Sequence, residues 1–154
     1  MRALAATDAG AVRALLESSR SPYDALSRWA AESAIAGRHG EARALVAVDE
    51  HDAPIGIASY GPVGGADGTA RLLGVAVSAT ARSREIAVEL IERVVVELRE
   101  AGMRLVVAEF PDTPNGPSLQ ALQVPLRDCD FRVAARVQDY FRDGVALVIL
   151  RRDL

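Results

Sequence analysis

The sequence contains no lysine: all eighteen basic residues are arginine. We read that as codon bias rather than as eighteen anion sites. Cys129 is the one cysteine, so no disulfide can form within the chain and no cysteine-based metal cluster is possible. The two histidines, His39 and His51, fall in polar turns without partners at metal-ligand spacing, and no metal is expected. No basic stripe with interleaved aromatics is present and the formal net charge is −3, which argues against a nucleic-acid partner. No apolar run approaches a membrane span, and the opening "MRALAATDAG" lacks the apolar core of a signal peptide. A cytoplasmic protein with no membrane partner is expected.

What remains is a globular composition. Half of the 154 residues are apolar and a quarter are charged, enough to bury a core as one domain over residues 1–154. No internal repeat or low-complexity linker divides the chain.

The periodicity gives an order of elements. "RALAA" suits a short first strand, and Thr7 stands where a helix N-cap would, ahead of Val12, Leu15 and Leu16 at helical spacing. Ser21, Pro22 and Asp24 read as the start of a second helix carrying Leu26, Trp29, Ala30 and Ile35, with Gly37 or Gly40 as its stop. Residues 42–48 and 54–60 look like strands joined by a polar turn, and a glycine-rich loop leads to a third strand over 69–77. Ile86, Leu90, Ile91, Val94, Val95 and Leu98 then form one apolar stripe, predicting a helix over about 84–101 that Gly102 ends. "RLVVAEF" (104–110) has the near-continuous apolar character of a strand buried on both faces. A weak helix over 117–129 follows, which Pro125 should leave short or broken. Two strands, 132–140 and 145–151, close around the turn Arg142-Asp143-Gly144. The strand-helix-strand unit over 69–110 predicts a parallel pair with a crossover helix.

The run "LLGVAVSATARSREIAVELIERV", followed by "GMRLVVAEF" and "DFRVAARVQDYFRDGVALVILRRDL", resembles the GNAT superfamily of N-acetyltransferases in order and spacing. The resemblance extends over nearly the whole chain. It implies an α+β fold: a GNAT-like mixed sheet of six or seven strands, a central parallel pair and helices on both faces. It also implies that the fourth strand, through Val75 and Val77, and the turn Arg82, Ser83, Arg84, Glu85, Ile86, Ala87 bind acetyl-CoA or another acyl-CoA. Physically, helix N-terminal N–H groups lack internal partners and sit at the positive end of a dipole, so a pyrophosphate is favoured there. Glycines usually let the backbone approach that anion, but here Glu85 stands at the motif's first glycine. The family's proton-donating tyrosine, five residues before an aromatic in a Gly-Phe or Gly-Tyr pair, falls on Leu126, ahead of Asp130-Phe131.

The remaining candidates carry two readings each. Glu109, at the end of its strand, is a candidate proton acceptor for the attacking amine or a carboxylate paired with an arginine. Tyr60 is a substrate contact or a packed tyrosine. Tyr140 is a substitute proton donor or part of a strand. Tyr23 and Trp29 wall an acceptor site or fill the core, and Cys129 is a small core hydrophobe. The function so implied is acyl-CoA-dependent N-acyl transfer to a small-molecule amine by direct attack, in a possible homodimer. The alternative is a catalytically degenerate member acting as a ligand-binding or partner subunit.

Overall fold

The computed structural model describes residues 1–18, 42–79, 82–112 and 117–154. The predicted second helix, with Ser21, Tyr23, Trp29 and His39, lies outside the described residues. Among them the chain forms β1 (Arg2–Ala3), a 3-10 turn (Ala6–Asp8), α1 (Ala9–Ser18), β2 (Arg43–Val48), β3 (Pro54–Pro62), β4 (Thr69–Val77), α2 (Ser83–Glu100), β5 (Leu105–Asp112), α3 (Pro117–Asp128), β6 (Arg132–Arg142) and β7 (Val145–Asp153). The strands make one seven-stranded sheet in the order β1-β2-β3-β4-β5-β7-β6. Among the described strands only β4 and β5 pair in parallel, as the strand-helix-strand pattern predicts. The other pairs are antiparallel.

The sheet is covered on both faces. α2 buries Ala87, Leu90, Ile91, Val94, Val95 and Leu98 against Ala58, Tyr60, Leu72, Val75, Val106, Ala108 and Leu150. α1 lays Val12, Leu15 and Leu16 on the other face, against Ala44, Val46 and Ile57. Gly56 sets how closely α2 approaches β3. A Cβ there would lie 3.0 Å from Leu90 Cδ1 and 3.1 Å from Ile86 Cγ2, so only glycine leaves that contact relaxed.

The first helix does not begin on Thr7 as its sequence suggests. Ala5 is extended, the 3-10 turn follows, and the carboxylate of Asp8 accepts the N–H of Ala5 at 2.8 Å. Asp8 is buried and also takes both arms of Arg2, at 2.7 and 2.9 Å. The Arg2 hydrogen bond, helped by the Ala5 N–H, lowers the Asp8 pKa from 3.8 to about 2. A depressed carboxylate contributes stability that is complete above pH 4 and is lost as pH falls through about 2. Asp8→Asn is therefore expected to lower Tm at neutral pH, with the gap to wild type closing between pH 4 and pH 2. Thermal melts across that window check it.

α3 corrects a second expectation. It runs unbroken for 12 residues with Pro125 inside it. Proline removes one hydrogen bond and crowds the preceding turn, but the bonds beyond it are intact. Cys129 N–H reaches Pro125 O at 3.1 Å, Phe131 N–H reaches Leu126 O at 3.0 Å and Asp130 N–H reaches Arg127 O at 3.1 Å. The last two form a Schellman stop, with Asp130 at φ 60° in the place glycine usually takes.

Candidate active site

β4 and β5 pair only from Thr69↔Leu105 to Leu72↔Ala108, although β4 continues to Val77 and β5 to Asp112. Beyond that point the two strands part, and residues 73–77 and 109–112 face each other without ladder bonds. A bulge marks the divergence. Tyr60 pairs with Leu72 but Ser59 pairs with Gly74, so Leu73 is an extra residue in β4. Bulges re-aim a strand and end its pairing, and here the result is a wedge in the middle of the sheet. Its β4 side is flanked by two buried polar atoms that lack a hydrogen-bond partner among the described residues, Arg71 Nε and Ser78 Oγ. Such atoms call for an explanation.

Above the wedge α2 begins. Its N-cap, Arg82, makes no side-chain cap, and the first helical bond is Ile86 N–H to Arg82 O at 3.0 Å. The N–H groups of Ser83, Arg84 and Glu85 precede that bond and have no partner within the helix. Ser83 and Ile86 are half-buried, Arg82, Arg84 and Glu85 are exposed, and Ala87 packs into the core. Val75 and Val77 pack toward the α2 core, so what they offer the wedge is backbone.

The turn's charges are already paired. Glu85 accepts from Arg82 Nε at 2.8 Å, which raises the Arg82 pKa. Arg84 donates through Nε and Nη2 to Asp128 at 2.9 and 2.8 Å. Exposed pairs of this sort are weak because water screens them, so an arriving anion can open them.

Glu109 is the first residue of β5 beyond the paired segment, and it forms an ion pair with Arg71 at 3.0 Å. Tyr60 is buried on the α2 side, where its hydroxyl donates to Glu97. Burial first and the Glu97 carboxylate second push its pKa well up. That places Tyr60 among core side chains and away from the parted ends of β4 and β5. Tyr140 is 60 % exposed and packs edge-on against Phe141; in the sheet, β5 and β7 lie between its strand and β4. Leu126 is fully buried, as its apolar character suggests. Cys129 is buried too, and burial, then the Glu92 carboxylate, pushes its thiol up to about 12.

Arg71 was hidden from sequence reasoning, as were Glu97 and Asp128. One signal was available: "TARLLGVAV" and "LVVAEF" each hold a single charge in an apolar run, of opposite sign. Residues 10–123 match the model of the acetyltransferase (GNAT) family. The chain belongs to the GNAT family of N-acetyltransferases.

Solved structures extend the likeness beyond the matched segment. A GNAT-family protein from Desulfovibrio desulfuricans superposes with a TM-score of 0.83 at 24% identity, covering 99% of this chain and 96% of its own. A ribosomal-protein-alanine N-acetyltransferase from Brucella melitensis gives 0.70 at 22%, covering 99% and 98%. A phosphinothricin acetyltransferase from Sinorhizobium meliloti in complex with AcCoA gives 0.73 at 17%, covering 99% and 86%. At these identities the superpositions speak for the GNAT fold alone. No curated protein matches the chain.

Gly56 is expected to control how the start of α2 sits over the sheet. Gly56→Val adds bulk against Ile86, in the first turn of α2, and Leu90. It should cost about 1–3 kcal/mol through overpacking and weaken acyl-CoA binding by displacing the first turn of α2. A Tm measurement with a CoA titration checks both, and loss of stability with unchanged affinity would show that the turn holds its place.

Proposed function

We propose that this GNAT protein is a cytoplasmic enzyme that transfers an acetyl or other acyl group from acyl-CoA to the amine of a small molecule. The observation carrying this reading is the end of the β4–β5 ladder at Leu72↔Ala108, beside Arg71 Nε and Ser78 Oγ, which have no partner among the described residues, and a helix start whose N-cap Arg82 makes no side-chain cap. These features suit the co-substrate: free backbone edges for an extended amide chain, and free N–H groups with a dipole for a pyrophosphate. The co-substrate supplies an activated thioester. Backbone N–H groups of β4 beyond the bulge would polarise its carbonyl, and the site would orient a neutral amine for direct attack. Glu109 would receive the proton directly or through water, and its position just beyond the end of the ladder supports that role. Among the described residues Leu126 is buried, Tyr60 is bonded to Glu97 and Tyr140 lies two strands from β5, which supports a reaction carried mainly by positioning.

Calorimetric titration with acetyl-CoA tests the reading. Saturable binding, with N-acetylated product from an amine panel, is expected. Absence of binding up to millimolar ligand would overturn it. Because the chain has no lysine, its own side chains offer no competing amine. The family match does not favour the alternative of a non-catalytic subunit.

A homodimer through β6 belongs to the same reading. β6 is exposed along its whole length at the sheet edge, with Val133, Val137, Tyr140 and Phe141 each 45–60% exposed. Uncovered apolar edges of this kind are commonly closed by association. Concentration-dependent sedimentation decides it.

A further inference from the structure

Arg71 and Glu109 project from the same face of the sheet. Their neighbours Ala70, Leu72, Ala108 and Phe110 all enter the α2 core, so these two point to the opposite face, where α1 lies. They sit on adjacent parallel strands where the ladder stops. Each is partly exposed, 41% for the Arg71 side chain and 33% for Glu109, and they are 3.0 Å apart. The guanidinium's Nε–H is shut off from water, without an acceptor among the described residues. The floor of the wedge thus holds one positive and one negative group, each able to meet a small ligand, and an arginine with an unused donor.

We propose that this pair selects the acceptor, and that the acceptor is a free α-amino acid or a similar zwitterion. The proposal rests on the transferase reading above. The argument compares what is paired before and after binding. A simple amine can bind the second oxygen of Glu109 beside Arg71, but it brings no acceptor for the Arg71 Nε–H and draws on a carboxylate already shared with the guanidinium. A zwitterion exchanges partners instead. Its ammonium meets Glu109, its carboxylate meets Arg71, and both charges stay paired. A small rotation of the guanidinium turns Nε–H toward the incoming carboxylate and supplies the two-pronged grip that arginine gives such groups. A polycation would gain Glu109 but meet repulsion from Arg71.

The experiment compares acetyl-CoA-dependent N-acetylation of a panel of free α-amino acids with the amide and the decarboxylated amine of each. Product is quantified by mass spectrometry, and rates are corrected for the neutral-amine fraction. The best free amino acid is expected to exceed its own amide and amine by roughly ten- to a hundredfold in kcat/KM, mostly through KM, which is the range that charged hydrogen bonds supply. In Arg71→Gln the preference should fall to about one, and Arg71→Lys should restore part of it. Amides or amines acetylated as well as the acids would overturn the proposal while leaving the transferase reading intact. Preference that survives Arg71→Gln would overturn Arg71 as its source. Transfer to no member of the panel, by protein that binds acetyl-CoA and acetylates another amine, would overturn this acceptor class and leave the transferase reading intact; absence of acetyl-CoA binding would overturn both. Should the variants not fold, the wild-type comparison of acid, amide and amine still decides.

Discussion

Leu126→Ala is expected to remove about 2–5 kcal/mol of stability, the usual cost of emptying a filled core position. Leu126 is fully buried, in one cluster with Cys129, Phe131 and the apolar stripe of α2. It also anchors the end of α3, because its carbonyl accepts both Cys129 N–H and Phe131 N–H. For a chain of this size the loss corresponds to a fall in Tm of roughly 5–15 °C. The same burial predicts the outcome of restoring the family's tyrosine. Leu126→Tyr puts a larger, polar-tipped side chain into a sealed space, at a cost of about 1–3 kcal/mol. It should not raise kcat unless α3 shifts. A gain in kcat with unchanged Tm would show that the position opens to the wedge in solution, and that a single substitution separates this chain from the tyrosine-dependent chemistry.

Glu85→Gly is expected to tighten acyl-CoA binding by roughly three- to tenfold at low salt. Two effects act in one direction. The substitution removes a carboxylate from the positive end of α2, and it releases Arg82, now held at 2.8 Å, to meet the pyrophosphate. The opposing effect is glycine's greater freedom, which costs the helix about 0.5–1 kcal/mol and should lower Tm slightly. That cost is paid in free and bound states alike, so it scarcely enters the affinity. Glu85→Gln separates charge from backbone: most of the gain should survive in it. Titrations at low and high salt provide the check, since an electrostatic gain shrinks on screening. An affinity unchanged at low salt would mean that Arg82 already leaves Glu85 when the anion binds, and that the missing glycine costs nothing.

Much of this architecture was legible because it is local. β4 runs over the predicted 69–77, where a glycine loop precedes an unbroken apolar run, and α2 differs from its prediction by one residue at each end. The Asp143-Gly144 turn was visible too, with Gly144 at φ 75°. What escaped depends on partners distant in sequence. Arg71 meets Glu109 only because β4 and β5 run parallel in a particular register. Tyr60 meets Glu97 only because α2 crosses β3's face, and Arg84 finds Asp128 only because α3 ends beside α2's start. The rule that proline breaks helices gave a wrong expectation at Pro125, because the hydrogen bonds after it, and the burial of Leu126, close the last turn regardless.

The sealed position of Cys129 makes this protein its own reporter. Its thiol is fully buried, lies 3.8 Å from the carbonyl of Val88, and has its ionisation pushed up to about 12. The thiolate is the nucleophile that attacks an alkylating dye, and the reaction needs access, so the native chain should stay dark to a fluorescent maleimide and label only when the seam between α2 and α3 opens. The labelling rate then clocks that opening, residue-specifically and without a reporter group having been added. Conversely, a cysteine engineered onto the exposed face of α2, at Val96 for instance, would be the sole reactive handle on an intact molecule.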